Sequence, residues 1–259
     1  MHLPLRPFLR CFLVLVSLQL CPPRLSAQEG PASFIWTDEK QPSRFAASEL
    51  RYKLPLDAPP KSAILHLFAD SRYQLYVNGA YINFGPSRFY PAHPRYDSYD
   101  LTPYLSPGVN EVLVRVVSNG TFSFQLRRSR PGFIAWGEVL PATGQAFSLA
   151  TPGDWECRPL HGLDSEALHM SFALGPMEVY DARQDSTPNW QQPVQLQGIL
   201  PWGPLQPRNI PPLTRDTHAP QRLIGHYTLS DAEDRWFFRV KVPDASRAEF
   251  ANGQVIFGQ

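Results

Sequence analysis

The chain has 259 residues, with 24 Lys and Arg against 23 Asp and Glu. Binding to nucleic-acid phosphates or to an anionic membrane needs clustered Lys and Arg, and a nearly neutral chain gives no sign of such a cluster. We therefore expect neither partner. The 28 prolines are about twice the usual share of ~5%, and because proline breaks helix interiors they favour short strands over long helices.

Residues 1–27 have the pattern of a secretory signal peptide. Arg6 and Arg10 form a basic start, the run from Phe8 to Leu20 is mostly apolar, and Ala27 supplies a small residue before a cleavage point. The apolar run is short for a transmembrane helix, and no other run approaches that length. We therefore expect an exported protein, periplasmic or extracellular, with no membrane attachment after cleavage. A buried N-terminal strand is the alternative.

Cleavage would change both the charge and the cysteine count. Residues 1–27 contain three arginines and no acidic residue, so 24 Lys and Arg become 21 against 23 Asp and Glu. Cys11 and Cys21 would be lost, which leaves Cys157 without a disulfide partner. A core of this size can be stable without disulfides. We expect Cys157 to be a small buried side chain rather than a reactive thiol.

The first predicted strands alternate apolar and polar residues. Residues 33–36 and 50–54 predict two strands, the second ended by Pro55. Residues 63–69 and 72–77 then predict two more, because a strand with one buried face has a period of two. The expected core-facing residues of these two strands are Ala63, Leu65, Leu67, Tyr73, Leu75 and Val77.

A tight hairpin follows. Asn78 and Gly79 both tolerate positive φ, so they predict a two-residue turn into a return strand at 80–84. The strand predicted at 111–117 has Val112, Val114 and Val116 on one face and Glu111 and Arg115 on the other.

In the rest of the chain the pattern predicts short strands and one helical turn, followed by a proline-rich stretch. Arg127, Arg128 and Arg130 form either a solvated hairpin tip or a ligand patch. Prolines crowd residues 198–220, as in an extended connector. The strands are predicted at 122–126, 133–139, 146–150, just after Gly153, and at 177–180 and 193–196, with the helical turn within 164–170.

Beyond the connector, Trp236, Phe238, Val240 and Val242 alternate with polar neighbours, and a second Asn-Gly turn follows. About forty residues with two or three strands cannot close a sandwich. We therefore expect a β-sandwich at 28–197, a Pro-rich connector at 198–220 and an incomplete β region at 221–259.

Several motifs occur in an order that indicates a family. They are ADSRYQLYVNG at 69–79, FGPSRFYPAHPRYDSYDLTPYLSPGVNEVLVRVVSNG at 84–120, EVYDAR at 178–183 followed by Trp190, and PRNIPPL at 207–213. This series resembles the N-terminal region of bacterial α-L-rhamnosidases. Shorter parts, such as YVNG, also resemble the sugar-binding jelly-rolls of β-galactosidases and β-glucuronidases. The resemblance implies that 28–197 is an all-β, jelly-roll or galactose-binding-like sandwich and that 221–259 is the truncated start of a second β-sandwich. It also implies a helical catalytic barrel that lies beyond the last residue here.

The resemblance supplies no catalytic residue to this chain. Glycoside hydrolysis needs paired carboxylates, which in these enzymes lie in the barrel, so we expect the chain alone to be inactive. Asp97 with Asp100, and the acids at 231–234, are the candidate pairs within it. Asp100 is better explained as a turn or helix cap, and 231–234 as solvated surface. The histidines lack metal-ligand spacing, so we expect no metal site built on them.

A loop rich in aromatic and charged residues is the candidate sugar site. Arg88, Tyr90, His93, Tyr96 and Asp97 combine rings for the apolar face of a sugar with polar groups for its hydroxyls. A rhamnose-containing glycan is the expected ligand. Related jelly-rolls sometimes hold a structural calcium, and we expect no other cofactor. Alternatively, Tyr96, Tyr99 and Tyr104 cover the core, or the loop docks on the catalytic barrel.

Two functions therefore remain open. The first is a non-catalytic, sugar-binding part of an exported α-L-rhamnosidase-like hydrolase. The second is a free-standing exported carbohydrate-binding or interaction protein. They differ in whether the reading frame continues past Gln259 into several hundred codons with helical periodicity and paired acids.

Overall fold

The computed structural model describes residues 32–38, 45–124, 127–169, 171, 173–185, 187 and 189–214. The predicted signal peptide at 1–27 and the predicted second sandwich at 221–259 lie outside these residues. The described strands are β1 Ile35–Trp36, β2 Ala46–Leu56, β3 Ser62–Asp70, β4 Arg72–Val77, β5 Ala80–Gly85, β6 Arg95–Asp100, β7 Gly108–Ser118, β8 Gly132–Leu140, β9 Phe147–Ser148, β10 Glu156–Pro159, β11 Val194–Gln195 and β12 Gln206–Pro207.

The strands form two sheets, which confirms the predicted all-β sandwich. One sheet has the order β11-β1-β8-β3-β6-β12, with β9 also paired to β8, and the other has the order β10-β2-β7-β4-β5. Neighbouring strands are antiparallel except β6 and β12, which are parallel. Helical structure in the described residues is limited to short 3₁₀ turns at Thr102–Tyr104 and Ala182–Asp185, and no helix there could cross a membrane.

The alternation seen in the sequence builds the core. Every residue predicted to face inward on β3, β4 and β7 is at most 1% exposed. Cys157 on β10 is fully buried, and burial raises the pKa of its thiol to about 11, so its prediction as a small core side chain is confirmed. Asn78 and Gly79 have φ of 51° and 78°, which confirms the predicted hairpin turn between β4 and β5.

Four local predictions are wrong, and one of them is the strand at 177–180, where Tyr180 alone forms an isolated bridge. Arg95–Asp100 is a strand, although its neighbouring prolines favoured a loop. The described part of 122–126 is not a strand, and Phe122 and Phe124 are 59% and 76% exposed, so their alternation builds no core face. The helical turn predicted within 164–170 is a non-helical turn in its described part.

Part of the predicted connector packs into the sandwich. Trp202 is 1% exposed, and its ring stacks on Phe34 with centroids 4.1 Å apart. Its indole N–H donates to Asp70 Oδ2 at 2.8 Å. A few residues later, β12 pairs with β6. Residues 202–207 are therefore an integral part of the β-sandwich, within the compact unit that ends at Pro212.

Candidate functional site

The structure does not bring the five predicted sugar-loop residues together. Arg88 follows β5 and lines a groove on one sheet. Tyr90 and His93 are exposed on a turn, where the His93 N–H donates to the Tyr90 carbonyl at 2.7 Å, and neither of them lines that groove.

Asp97 lies inside the sandwich. It is 3% exposed, and its two carboxylate oxygens accept hydrogen bonds from the hydroxyl of Tyr73 and from Nε of Arg208. The Tyr73 hydroxyl is also 2.8 Å from that of Tyr99. Because both oxygens are used internally, Asp97 holds the segment after β12 to the sandwich rather than facing a ligand.

Tyr96 belongs to an aromatic cluster on the other sheet. Its ring meets Trp136 edge-on with centroids 4.7 Å apart, and His66 stacks on the same tryptophan at 5.4 Å. His66 Nδ1 is 2.7 Å from Ser98 Oγ, as expected for a hydrogen-bonded sheet residue. Tyr96, Tyr99 and Tyr104 all pack against the core, so the alternative that they cover it is confirmed.

The groove that contains Arg88 lies on the outer face of β4, β5 and β7. Its volume is about 740 Å³. Strand alternation supplies its floor, because residues between the core-facing ones point outward. The outward residues that line it are Arg72 and Gln74 from β4, Tyr81 and Phe84 from β5, and Arg115 and Val117 from β7.

One wall of the groove comes from the 174–178 segment. It is joined to an earlier part of the chain by two isolated antiparallel bridges. Leu163 pairs with Tyr180, and His169 pairs with Pro176. The Met177 N–H donates to the Leu168 carbonyl at 2.9 Å. Glu178, at the end of this wall, is among the residues that line the groove.

A buried charge cluster fixes Arg115 in the floor. Glu49 is 2% exposed, and its Oε1 accepts from Nη2 and Nε of Arg115 at 2.7 and 3.1 Å. Its Oε2 accepts from Nε of Arg158 at 2.8 Å. Burial opposes the charge on Arg115, but the hydrogen bonds and charge of Glu49 outweigh it and raise the pKa of Arg115. Two guanidinium groups share one carboxylate, so the cluster keeps a net positive charge.

Two aromatic rings flank these polar groups. Tyr81 and Phe84 are each 45% exposed. Exposed rings can cover the apolar C–H face of a sugar, while guanidinium, amide and carboxylate groups bind its hydroxyls. The groove therefore has the chemistry that we expected at the loop, although only Arg88 was predicted to take part.

The motifs that suggested a family are mostly scaffold. Asn110 is 1% exposed, and its Oδ1 accepts from Nδ2 of Asn78 and the N–H of Ser106, at 2.8 and 2.9 Å. The Thr102 N–H donates to Asp100 Oδ1 at 2.9 Å, which confirms Asp100 as a turn cap. These residues fix turns at one end of the sandwich.

Asp97 and Asp100, the candidate pair within the described residues, are not arranged as a catalytic pair. Asp97 is buried and ion-paired with Arg208, whereas the hydrogen bonds from Thr102 lower the pKa of the exposed Asp100. The acids at 231–234 lie outside the described residues. Within that part of the chain, no three His, Cys, Asp or Glu side chains are grouped to hold a metal ion, so we assign no calcium ligands.

The three arginines that follow Leu126 do not act as a patch. Arg130 is partly buried, donates to the Gly198 carbonyl at 2.8 Å and lies over the Trp202 ring, 4.8 Å from its centroid. Arg127 and Arg128 are exposed. Arg127 and Arg128 therefore agree with the prediction of a solvated tip, whereas Arg130 does not.

Comparison with known proteins identifies the family. The model of the α-L-rhamnosidase N-terminal domain matches residues 58–220. No curated protein matches the chain. Among solved structures, the GH78 family rhamnosidase of Bacillus sp. GL1 is 34% identical, with a TM-score of 0.60 over 70% of this chain and 20% of that one. The α-L-rhamnosidase from Dictyoglumus thermophilum is 18% identical, with a TM-score of 0.49 over 70% of this chain and 22% of that one.

This chain spans about a fifth of the length of those two rhamnosidases. The family model covers more than half of its residues, including the strands from β3 to β12. The chain therefore belongs to the α-L-rhamnosidase N-terminal domain family.

Proposed function

We propose that this chain is the non-catalytic, sugar-binding N-terminal part of an exported α-L-rhamnosidase-like glycoside hydrolase, whose catalytic barrel lies outside these 259 residues. The groove on β4, β5 and β7 carries the proposal. It combines two half-exposed rings with several polar side chains on a domain of this family.

The rigidity of the groove supports binding. Its floor residues lie on hydrogen-bonded neighbouring strands, in which Gln74 pairs with Arg115 on β7 and with Phe84 on β5. Arg115 is held by Glu49 before any ligand arrives. A preformed site loses little entropy on binding. A bound sugar would lay its apolar face on Phe84 and Tyr81 and its hydroxyls toward the arginines.

Titration calorimetry on the chain tests this function. Rhamnose, galactose and glucuronic acid are titrated with and without calcium, which also tests the expected structural calcium. Covering about 50 Å² of apolar sugar surface at about 25 cal/mol per Å² gives about 1.3 kcal/mol, close to tenfold in affinity. Phe84→Ala should weaken binding by about that factor.

Tyr90→Ala is the matched control, because this ring is 63% exposed but does not line the groove. Its affinity should equal that of the wild type. A loss in Tyr90→Ala with no change in Phe84→Ala would move the sugar site from the groove to the loop. No heat from any sugar, with or without calcium, would contradict sugar binding altogether.

Export rests on the signal-peptide pattern of residues 1–27. We expect the exported protein to begin at Gln28. N-terminal sequencing of protein recovered outside the cytoplasm checks this directly. Recovery of the chain with Met1 intact, inside the cell alone, would contradict it.

A further inference from the structure

The groove has an unequal balance of charge. Arg72, Arg88 and Arg115 line it, and Glu178 is the one carboxylate among the described residues that line it. Neutral sugars need hydrogen-bond donors and acceptors but no net charge. When Glu49 and Arg158 beneath Arg115 are also counted, four arginines face two glutamates, and this surplus of two positive charges favours an anionic ligand.

The arginines are available to a ligand. Within the described residues, the side chains of Arg72 and Arg88 have neither a hydrogen-bond nor an ion-pair partner, and both residues are exposed. Arg115 uses Nε and Nη2 on Glu49, and its side chain is still 45% exposed. A guanidinium group offers several donors in one plane and binds a carboxylate through two of them.

A buried amide gives independent evidence of a ligand. Asn119 is 5% exposed and lines the groove, yet its Nδ2 has no hydrogen-bond partner within the described part of the chain. A buried donor without an acceptor costs about 1–3 kcal/mol. Because Nδ2 itself is covered, the amide would turn toward the groove for a ligand oxygen to satisfy it.

We propose that the groove binds an anionic sugar, with a uronic-acid carboxylate as the group that the arginines hold. The ring of the sugar packs against Phe84 and Tyr81, and one of its oxygens accepts from Asn119 Nδ2. The inference rests on the proposed sugar-binding function and adds the class of sugar.

The test compares sugars that differ in charge. The chain is titrated by calorimetry with glucuronic acid, with glucose and with glucose 6-sulfate, at low and high salt. Glucuronic acid should bind about tenfold more tightly than glucose, as for hydrogen bonds to a charged group. High salt should remove most of that advantage, because exposed charges are screened.

Variants locate the effect. Arg72→Gln and Arg88→Gln should each weaken glucuronic acid binding about tenfold and weaken glucose binding much less, because glutamine can still hydrogen-bond a hydroxyl but carries no charge. Arg128→Gln removes an exposed arginine outside the groove and should change neither. Asn119→Leu should weaken both sugars.

Three other results would each contradict a stated part of the proposal. Equal affinity for glucuronic acid and glucose refutes the charge inference and leaves the sugar-binding function standing. Tighter binding of glucose 6-sulfate than of glucuronic acid refutes the uronic acid assignment. Absence of binding by all three sugars refutes the inference, and the titrations with rhamnose and galactose then decide whether the proposed function stands.

Discussion

Trp202 gives the sharpest test of the fold, because the sequence places it in a connector and the structure places it in the core. Its ring is 1% exposed and stacks on Phe34, and its N–H donates to the buried carboxylate of Asp70. We expect Trp202→Ala to destabilise the sandwich strongly and Trp202→Phe to destabilise it less.

The magnitudes follow from the contacts. Removal of a buried tryptophan side chain costs about 3–5 kcal/mol, through lost burial and the cavity that remains. Trp202→Phe keeps an aromatic ring but removes the donor to Asp70, and loss of a hydrogen bond to a charged group costs about 1.5–3 kcal/mol. Leu200 is 77% exposed, so Leu200→Ala should stay within about 0.5 kcal/mol of the wild type.

Urea unfolding of the three variants, followed by tryptophan fluorescence and circular dichroism, gives the free energies. A domain has only about 5–15 kcal/mol of stability, so the loss in Trp202→Ala is large enough to prevent folding. In that case, the free energy of unfolding is measured for Trp202→Phe alone of the two Trp202 variants. Such comparisons resolve differences of about 0.5 kcal/mol in the free energy of unfolding. If Trp202→Phe and Leu200→Ala both differ from the wild type by less than about that amount, the placement of Trp202 in the core is refuted.

Three further predictions follow from buried groups. Burial raises the pKa of Asp70 despite its hydrogen bonds. The folded state therefore holds the proton of this carboxyl group more tightly than the unfolded state does. The free energy of unfolding should fall as pH rises from about 4 toward the raised pKa. Asp70→Asn should remove that fall, and an unchanged pH profile of urea unfolding would contradict it. Arg208→Ala leaves Asp97 buried without its ion-pair partner and should cost about 3–5 kcal/mol, whereas the exposed Arg128→Ala should cost under about 0.5; equal losses in urea unfolding would exclude a structural ion pair. Cys157, with its pKa raised by burial to about 11, should resist a thiol reagent at pH 8 until the protein is denatured, in a chain without the two N-terminal cysteines; rapid labelling of the native protein would show that this strand opens.

Local pattern was enough to predict the central strands. The period of two placed Leu65 and Leu75 in the core, and the φ preference of Asn78 and Gly79 placed the hairpin turn. Strand β6 was missed because its partners, β3 and β12, lie far from it in sequence, and pairing across the sheet overrides the local preference of a proline-rich stretch.

The site was harder to predict than the fold. Arg115 could be placed on the outer face of β7 by alternation, but the wall at 174–178 that makes this face a groove has no periodic signal. Arg88 and Asp97 were grouped because they are close in sequence. The structure separates them, since Asp97 pairs with Arg208, 111 residues away. Contacts of that range cannot be read from one sequence.

The central claim is that these residues bind sugar and that the acids of hydrolysis lie elsewhere. Incubation of the purified chain with an aryl α-L-rhamnoside, with release of the phenol followed by absorbance, tests it most directly. We expect no release above the rate in buffer alone. Sustained release that disappears when Asp97 or Asp100 is replaced by Asn would contradict the claim.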